Sequence, residues 1–184
     1  SNQQSLTCFA SASDVDDVDE PLQLSYIWTI IQSGAVLATG NQLQLDENMA
    51  APGDQIRCTV QTIDTDGAVD IQSMLVFVEN QGPILNSIQV DPIQLSSSDT
   101  VSCEIDASDP DLHSLELRYS WTLNGQVLST DSTLTLDPSW IQPLDTIVCE
   151  AFATDPYGAE VSSSATATVI DSPMVYEDLE IFPA

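Results

Sequence analysis

The sequence predicts an all-β protein of two tandem Ig-like β-sandwich domains, each with one inter-sheet disulfide. Three observations carry that prediction: an internal repeat, a series of short strand-like segments without helical period, and the order Cys, Trp, Cys in each copy. Laid over one another, Cys8 to Pro83 and Cys103 to Pro173 match along their length. CFASASDVD faces CEIDASDPD, SYIWTI faces RYSWTL, LQLDENMAAPGDQIRC faces LTLDPSWIQPLDTIVC, and TIDTDGA faces ATDPYGA. The offset from Leu43 to Cys58 equals that from Leu134 to Cys149. Two copies of one domain are therefore present.

Within each copy, segments of alternating or β-branched residues are separated by Asp, Gly, Pro and Ser turns. In the second copy they read DTVSCEIDA, LRYSWTL, STLTLD, DTIVCEAFAT and SSATATVI, the pattern of a sandwich with regularly spaced strands. A cysteine is followed by a tryptophan 20 residues later in the first copy and 18 later in the second, and then by another cysteine. That order suits a bridge between strands B and F of a sandwich, packed by an aromatic of strand C. Four cysteines allow three pairings, and only Cys8 with Cys58 and Cys103 with Cys149 respects the repeat. Such bridges need an oxidising compartment, extracellular or on the cell surface. A zinc site on these cysteines fails, because none forms a close CxxC pair. Ile56 and Ile147 stand two residues before the second cysteine, where a true immunoglobulin domain carries its corner tyrosine. The domain boundaries expected are 1–82 for a first repeat lacking its first strand, 83–172 for the second, and 173–184 for a linker plus the first strand of a following repeat.

Charge narrows the partners. Twenty-nine acids face two arginines, Arg57 and Arg118, and the formal net charge is −27. Nucleic acid is excluded, because phosphate binding needs clustered cations. No apolar run approaches the roughly 20 residues of a membrane helix, so no membrane insertion is expected. The first residues form no basic, apolar-cored leader, so any export signal is expected to have been removed or to lie outside this segment. Self-repulsion on this scale calls for high ionic strength or bound cations. A solvated acidic skin and cation-binding loops are both open as its origin.

The pattern C-x5-D-x-D, Y-x-W, G-x-x-L, D-x-(I/V)-x-C-x5-D-x-x-G resembles the PKD-like and cadherin-like repeats of large secreted bacterial surface proteins. The resemblance implies an extracellular, often calcium-stiffened spacer or adhesive module. Leu112 and His113 stand where the family more commonly has Gly and Asp, so a third loop carboxylate is missing there.

Acidic clusters follow the strands of both cysteines. In the first repeat they are Asp14, Asp16, Asp17, Asp19 and Glu20, then Asp64 and Asp66; in the second, Asp109 and Asp111, then Asp155. The loops that carry them lie at one end of an Ig-like sandwich. Converging carboxylates favour a hard cation with six to eight oxygen ligands, and Ca2+ tolerates irregular loops better than Mg2+. Glu79 and Asn80 of the linker could add ligands to the second cluster, and a cation there would stiffen the tandem. The competing reading is that Asp is a turn residue bonding its own backbone. His113 is read as an exposed loop residue.

Trp28, Trp121, Tyr26 and Tyr119 occupy matched strand positions and are read as core or sheet-face residues. Trp140 and Tyr157 have no aromatic counterpart in the first copy, which makes them candidates for a contact surface. No nucleophile is paired with the single histidine and no phosphate cradle or HExxH motif occurs, so the chain is not expected to be an enzyme.

The tail segment DLEIFP copies SIQVDP, the expected first strand of the second repeat, which has no counterpart before Cys8. Three arrangements account for this: an excerpt from a longer array, strand donation to the first repeat of another copy through residues 175–184, or closure within one chain. The function expected is a structural extracellular repeat of a fibre, stalk or filament. The alternative is an adhesion module that binds a glycan or a protein receptor.

Overall fold

The computed structural model describes residues 2–15 and 22–171. All its regular elements are strands, in the order expected of two sandwiches. The first repeat contains β1 (Ser5–Thr7), β2 (Gln23–Ile30), β3 (Val36–Thr39), β4 (Gln42–Gln44), β5 (Gln55–Ile63) and β6 (Val69–Phe77). β1 pairs with β4, and a second sheet runs β3-β2-β5-β6, antiparallel throughout. The second repeat contains β7 (Ile84–Asp91), β8 (Gln94–Leu95), β9 (Thr100–Ser108), β10 (Glu116–Leu123), β11 (Gln126–Ser129), β12 (Thr133–Thr135), β13 (Thr146–Thr154) and β14 (Glu160–Val169). Its sheets run β12-β9-β7 and β11-β10-β13-β14-β8.

Period-two burial explains why these segments are strands. In β5, Ile56, Cys58 and Val60 are buried, and in β13, Ile147, Cys149, Ala151 and Ala153 are, with more exposed residues between them. One face of each strand thus enters a core and the other stays outside. The disulfides Cys8–Cys58 and Cys103–Cys149 join the two sheets of each repeat, with Cα atoms 6.6 and 6.4 Å apart. Trp28 lies opposite Cys58 and Trp121 opposite Cys149 in the strand registers. Both indoles are buried and donate Nε1–H to a backbone carbonyl, Gly40 at 2.9 Å and Asp131 at 3.0 Å. A buried indole needs such an acceptor.

The repeats differ at one place. β9 is paired on both sides, by β12 and by β7, and between β7 and β9 the chain crosses to add β8 in parallel to β14. Val90 and Leu95 bring this segment into the core. Among the described residues β1, the counterpart of β9, pairs with β4 alone, and β6, the counterpart of β14, with β5 alone. Met74 of β6 accordingly stands exposed above an open cleft of about 210 Å³ lined also by Leu6, Phe9, Trp28 and the Cys8–Cys58 bridge. By contacts the chain divides into Ser1–Gly82 with Asp109–Ser114, and Pro83–Ser108 with Leu115–Ala184.

Candidate functional site: buried carboxylates in the acidic loops

The acidic loops are built from aspartates that first serve their own backbone. After β5, the Asp64 carboxylate accepts the Ala68 amide at 2.7 Å, while its carbonyl accepts the Gly67 amide at 3.3 Å. After β13, Asp155 accepts the amides of Tyr157 and Ala159 at 2.9 and 2.8 Å and its carbonyl that of Gly158 at 3.1 Å. Gly67 and Gly158 hold φ of 88° and 86°, which an L side chain adopts only with strain. The same D-x-x-G-A turn thus closes both hairpins. Asp155 is buried, Asp64 half-buried and Asp66 exposed.

In the first repeat, Asp14 and Asp64 line one cleft of about 400 Å³, together with Thr62 and Asp70. The Thr62 hydroxyl is buried there without a hydrogen-bond partner. The segments that follow Cys8 and β5 thus share one cleft. Asp16, Asp17, Asp19 and Glu20 lie outside the described residues.

The tightest group is Asp109, Asp111 and His113, each offering one ligand atom within 4.8 Å of the others. Asp111 is fully buried; its Oδ2 accepts the Gln81 amide at 2.7 Å and its Oδ1 the Asn2 amide at 3.3 Å. Asp109 Oδ1 accepts the Asp111 amide at 2.7 Å, with His113 Nδ1 at 3.5 Å. Asp109 Oδ2, on a side chain 0% exposed, has no hydrogen-bond partner. A buried carboxylate oxygen left without a donor is costly, and a cation is one group that would satisfy it. Two carboxylates suit Ca2+, and the imidazole adds a nitrogen better matched to a softer ion.

Of the linker residues, Glu79 is exposed and stands outside this group, Asn80 is half-buried, and it is the backbone of Gln81 that reaches Asp111. His113, expected as an exposed loop residue, has a side chain only 17% exposed. Its spacing is the available signal: D-x-D-x-H puts three potential ligands on alternate residues. Trp140 and Tyr157 are both exposed.

Neither a protein-family model nor a curated protein matches the chain. Among solved structures it is similar to the three N-terminal domains of the Highly Immunogenic Outer Capsid protein of bacteriophage RB49, at 19% identity and a TM-score of 0.36. That match covers 91% of this chain and 57% of the phage one. It is similar also to the N-terminal four Ig domains of Dscam1 isoform 6.9, at 13% identity and a TM-score of 0.38, over 90% of this chain and 40% of that one. A third likeness, to fibronectin(III)-like modules of Clostridium thermocellum CbhA, has 13% identity and a TM-score of 0.35 over 85% and 83% of the two chains. The chain thus spans less than two thirds of the first two structures.

Proposed function

We propose that the chain is a structural extracellular repeat of the PKD-like or cadherin-like kind, part of a surface fibre or stalk, whose acidic loops bind calcium and are stiffened by it. The observation that carries calcium is the buried Asp109, whose Oδ2 lacks a donor beside the equally buried Asp111. Disulfide-stapled sandwiches supply the durable scaffold that such a repeat needs outside the cell. Bound cation would hold the Asp109–Ser114 segment in one arrangement.

Thermal unfolding of the oxidised chain tests this, with calcium, zinc or chelator at matched ionic strength. A cation that binds only the folded state at a hundredfold excess over Kd adds about 2.7 kcal/mol, seen as a rise of several degrees in Tm. Asp109→Asn with Asp111→Asn should remove the rise. A rise with zinc alone would assign the same residues to a softer ion, and none with either would leave the aspartates as turn residues on an acidic skin.

Assembly is proposed to run head to tail, residues 175–184 of one copy lying along β1 of the next as β7 lies along β9. Those residues are outside the described part of the chain. Support comes from the match of DLEIFP to the β7 sequence and from the open cleft beside Met74. Deleting residues 175–184 should abolish polymers; polymers of unchanged length would refute strand donation.

A further inference from the structure

Among the described residues, the outer face of the β3-β2-β5-β6 sheet, the side turned away from the core of the first repeat, carries no carboxylate in a chain of 29 acids. Strand alternation puts Gln23, Ser25, Ile27 and Thr29 of β2 there, with Gln55, Arg57, Thr59, Gln61 and Ile63 of β5. From β6 come Val69, Ile71, Ser73, Leu75 and Phe77. The four apolar residues of β6 are between 50% and 61% exposed.

Folding does not require them. In the second repeat the corresponding positions, fixed by the pairings Cys58 with Met74 and Cys149 with Ala165, are Glu160, Ser162, Thr166 and Thr168. The same sheet is thus built with polar residues, and its outer face also carries Glu116 and Glu150. A long edge strand with an apolar outward face is what soluble proteins ordinarily avoid, because it templates pairing with another chain.

We propose that β6 is a homotypic docking edge, pairing antiparallel with β6 of a second copy about a two-fold axis through Ser73. The sequence of the strand is self-complementary in that register. Ile71 of one copy faces Leu75 of the other, and Val69 faces Phe77, so apolar side chains meet on both sides of the axis. An isologous contact needs one patch that complements itself, and this one does. Charge selects the partner further: two chains of net charge −27 can approach closely only through surfaces free of carboxylates. Asp70, the nearest acid on the strand, faces Val76 across the axis and lies about 20 Å from its symmetry mate, given roughly 3.3 Å per residue. That distance exceeds the Debye length of about 8 Å at physiological ionic strength. One strand edge is smaller than the roughly 800 Å² per partner of a stable interface, so the dimer is weak and forms only as concentration rises, and repetition along a fibre would strengthen it. It is independent of metal binding and of residues 175–184.

Sedimentation velocity of the full chain over a concentration series, in about 1 M salt where the Debye length is about 3 Å, tests the proposal. A concentration-dependent dimer is expected. It should be lost when the four residues are replaced by those of the second repeat, Val69→Glu, Ile71→Ser, Leu75→Thr and Phe77→Thr, with Tm and circular dichroism confirming the fold. Ser73→Cys should cross-link rapidly under mild oxidation, because directly opposed Cα atoms at an antiparallel axis lie about 4.5 or 5.5 Å apart, within disulfide reach. Ser164→Cys, its counterpart in β14, should stay monomeric. Three results would each overturn the proposal: a monomer at every concentration, a dimer unaffected by the fourfold replacement, or equal cross-linking of the two cysteine variants.

Discussion

The acidity of this chain has a local use before it has any global one. Asp46, Asp54, Asp64, Asp99, Asp137, Asp145 and Asp155 each accept a backbone amide within four residues, the mechanism that makes Asp a turn residue. At Asp137 the Ser139 backbone amide and then the Ser139 hydroxyl hold the carboxyl below the usual range. A carboxyl whose folded pKa is depressed contributes stability that is present above its unfolded pKa and lost as pH falls through the folded one. Asp137→Asn should therefore cost stability at neutral pH, and the gap in urea midpoint between variant and parent should close as pH falls through the carboxylate range. A gap constant with pH would mean that the side chain acts by shape, not charge. Glu160 is lowered too, first by the Thr154 hydroxyl and also by Arg118. At the glycines, the strain is steric: Gly158→Ala forces an L residue to a φ of 86° and should lower stability by about 1 kcal/mol, read as a lower urea midpoint.

Elements were legible where side-chain period and spacing were strict. The two cysteine-bearing strands, the tryptophans opposite them and the D-x-x-G-A turns all follow from the repeat. What periodicity cannot give is partnership between strands far apart in sequence. QL of β8 is too short to show alternation, yet its parallel pairing with β14 seats Leu95 at 0% exposure in the second core. Leu95→Ala should cost about 2 to 5 kcal/mol, since the site is tightly enclosed, and chemical denaturation of the second repeat measures it. A cost below 1 kcal/mol would show that β8 is loosely held. The loops were legible in part. Convergence of Asp14 and Asp64 follows from sandwich topology, whereas the burial of Asp109 and the approach of His113 depend on how one short segment folds. The D-x-D-x-H spacing names the residues that meet but does not encode how deeply they are buried.

For the whole molecule, net charge and covalent staples pull in opposite directions. Carboxylate repulsion destabilises the compact state and is relieved by salt, while each disulfide limits the unfolded chain. Closing loops of 50 and 46 residues is worth about 4 kcal/mol apiece in the chain-entropy model, a large share of the 5 to 15 kcal/mol typical of a domain. The two repeats bring unequal cores to this balance. Thirteen buried residues cluster in the second, where β7 and β8 contribute Val90 and Leu95; nine cluster in the first, where among the described residues nothing takes their place. Equal staples on unequal cores lead to unequal stability. Differential scanning calorimetry should resolve two transitions, and replacing Cys8 and Cys58 by Ala should move the lower one, while replacing Cys103 and Cys149 moves the upper. The reverse assignment would mean that the exposed cleft beside Met74 costs less than the difference between the two cores implies.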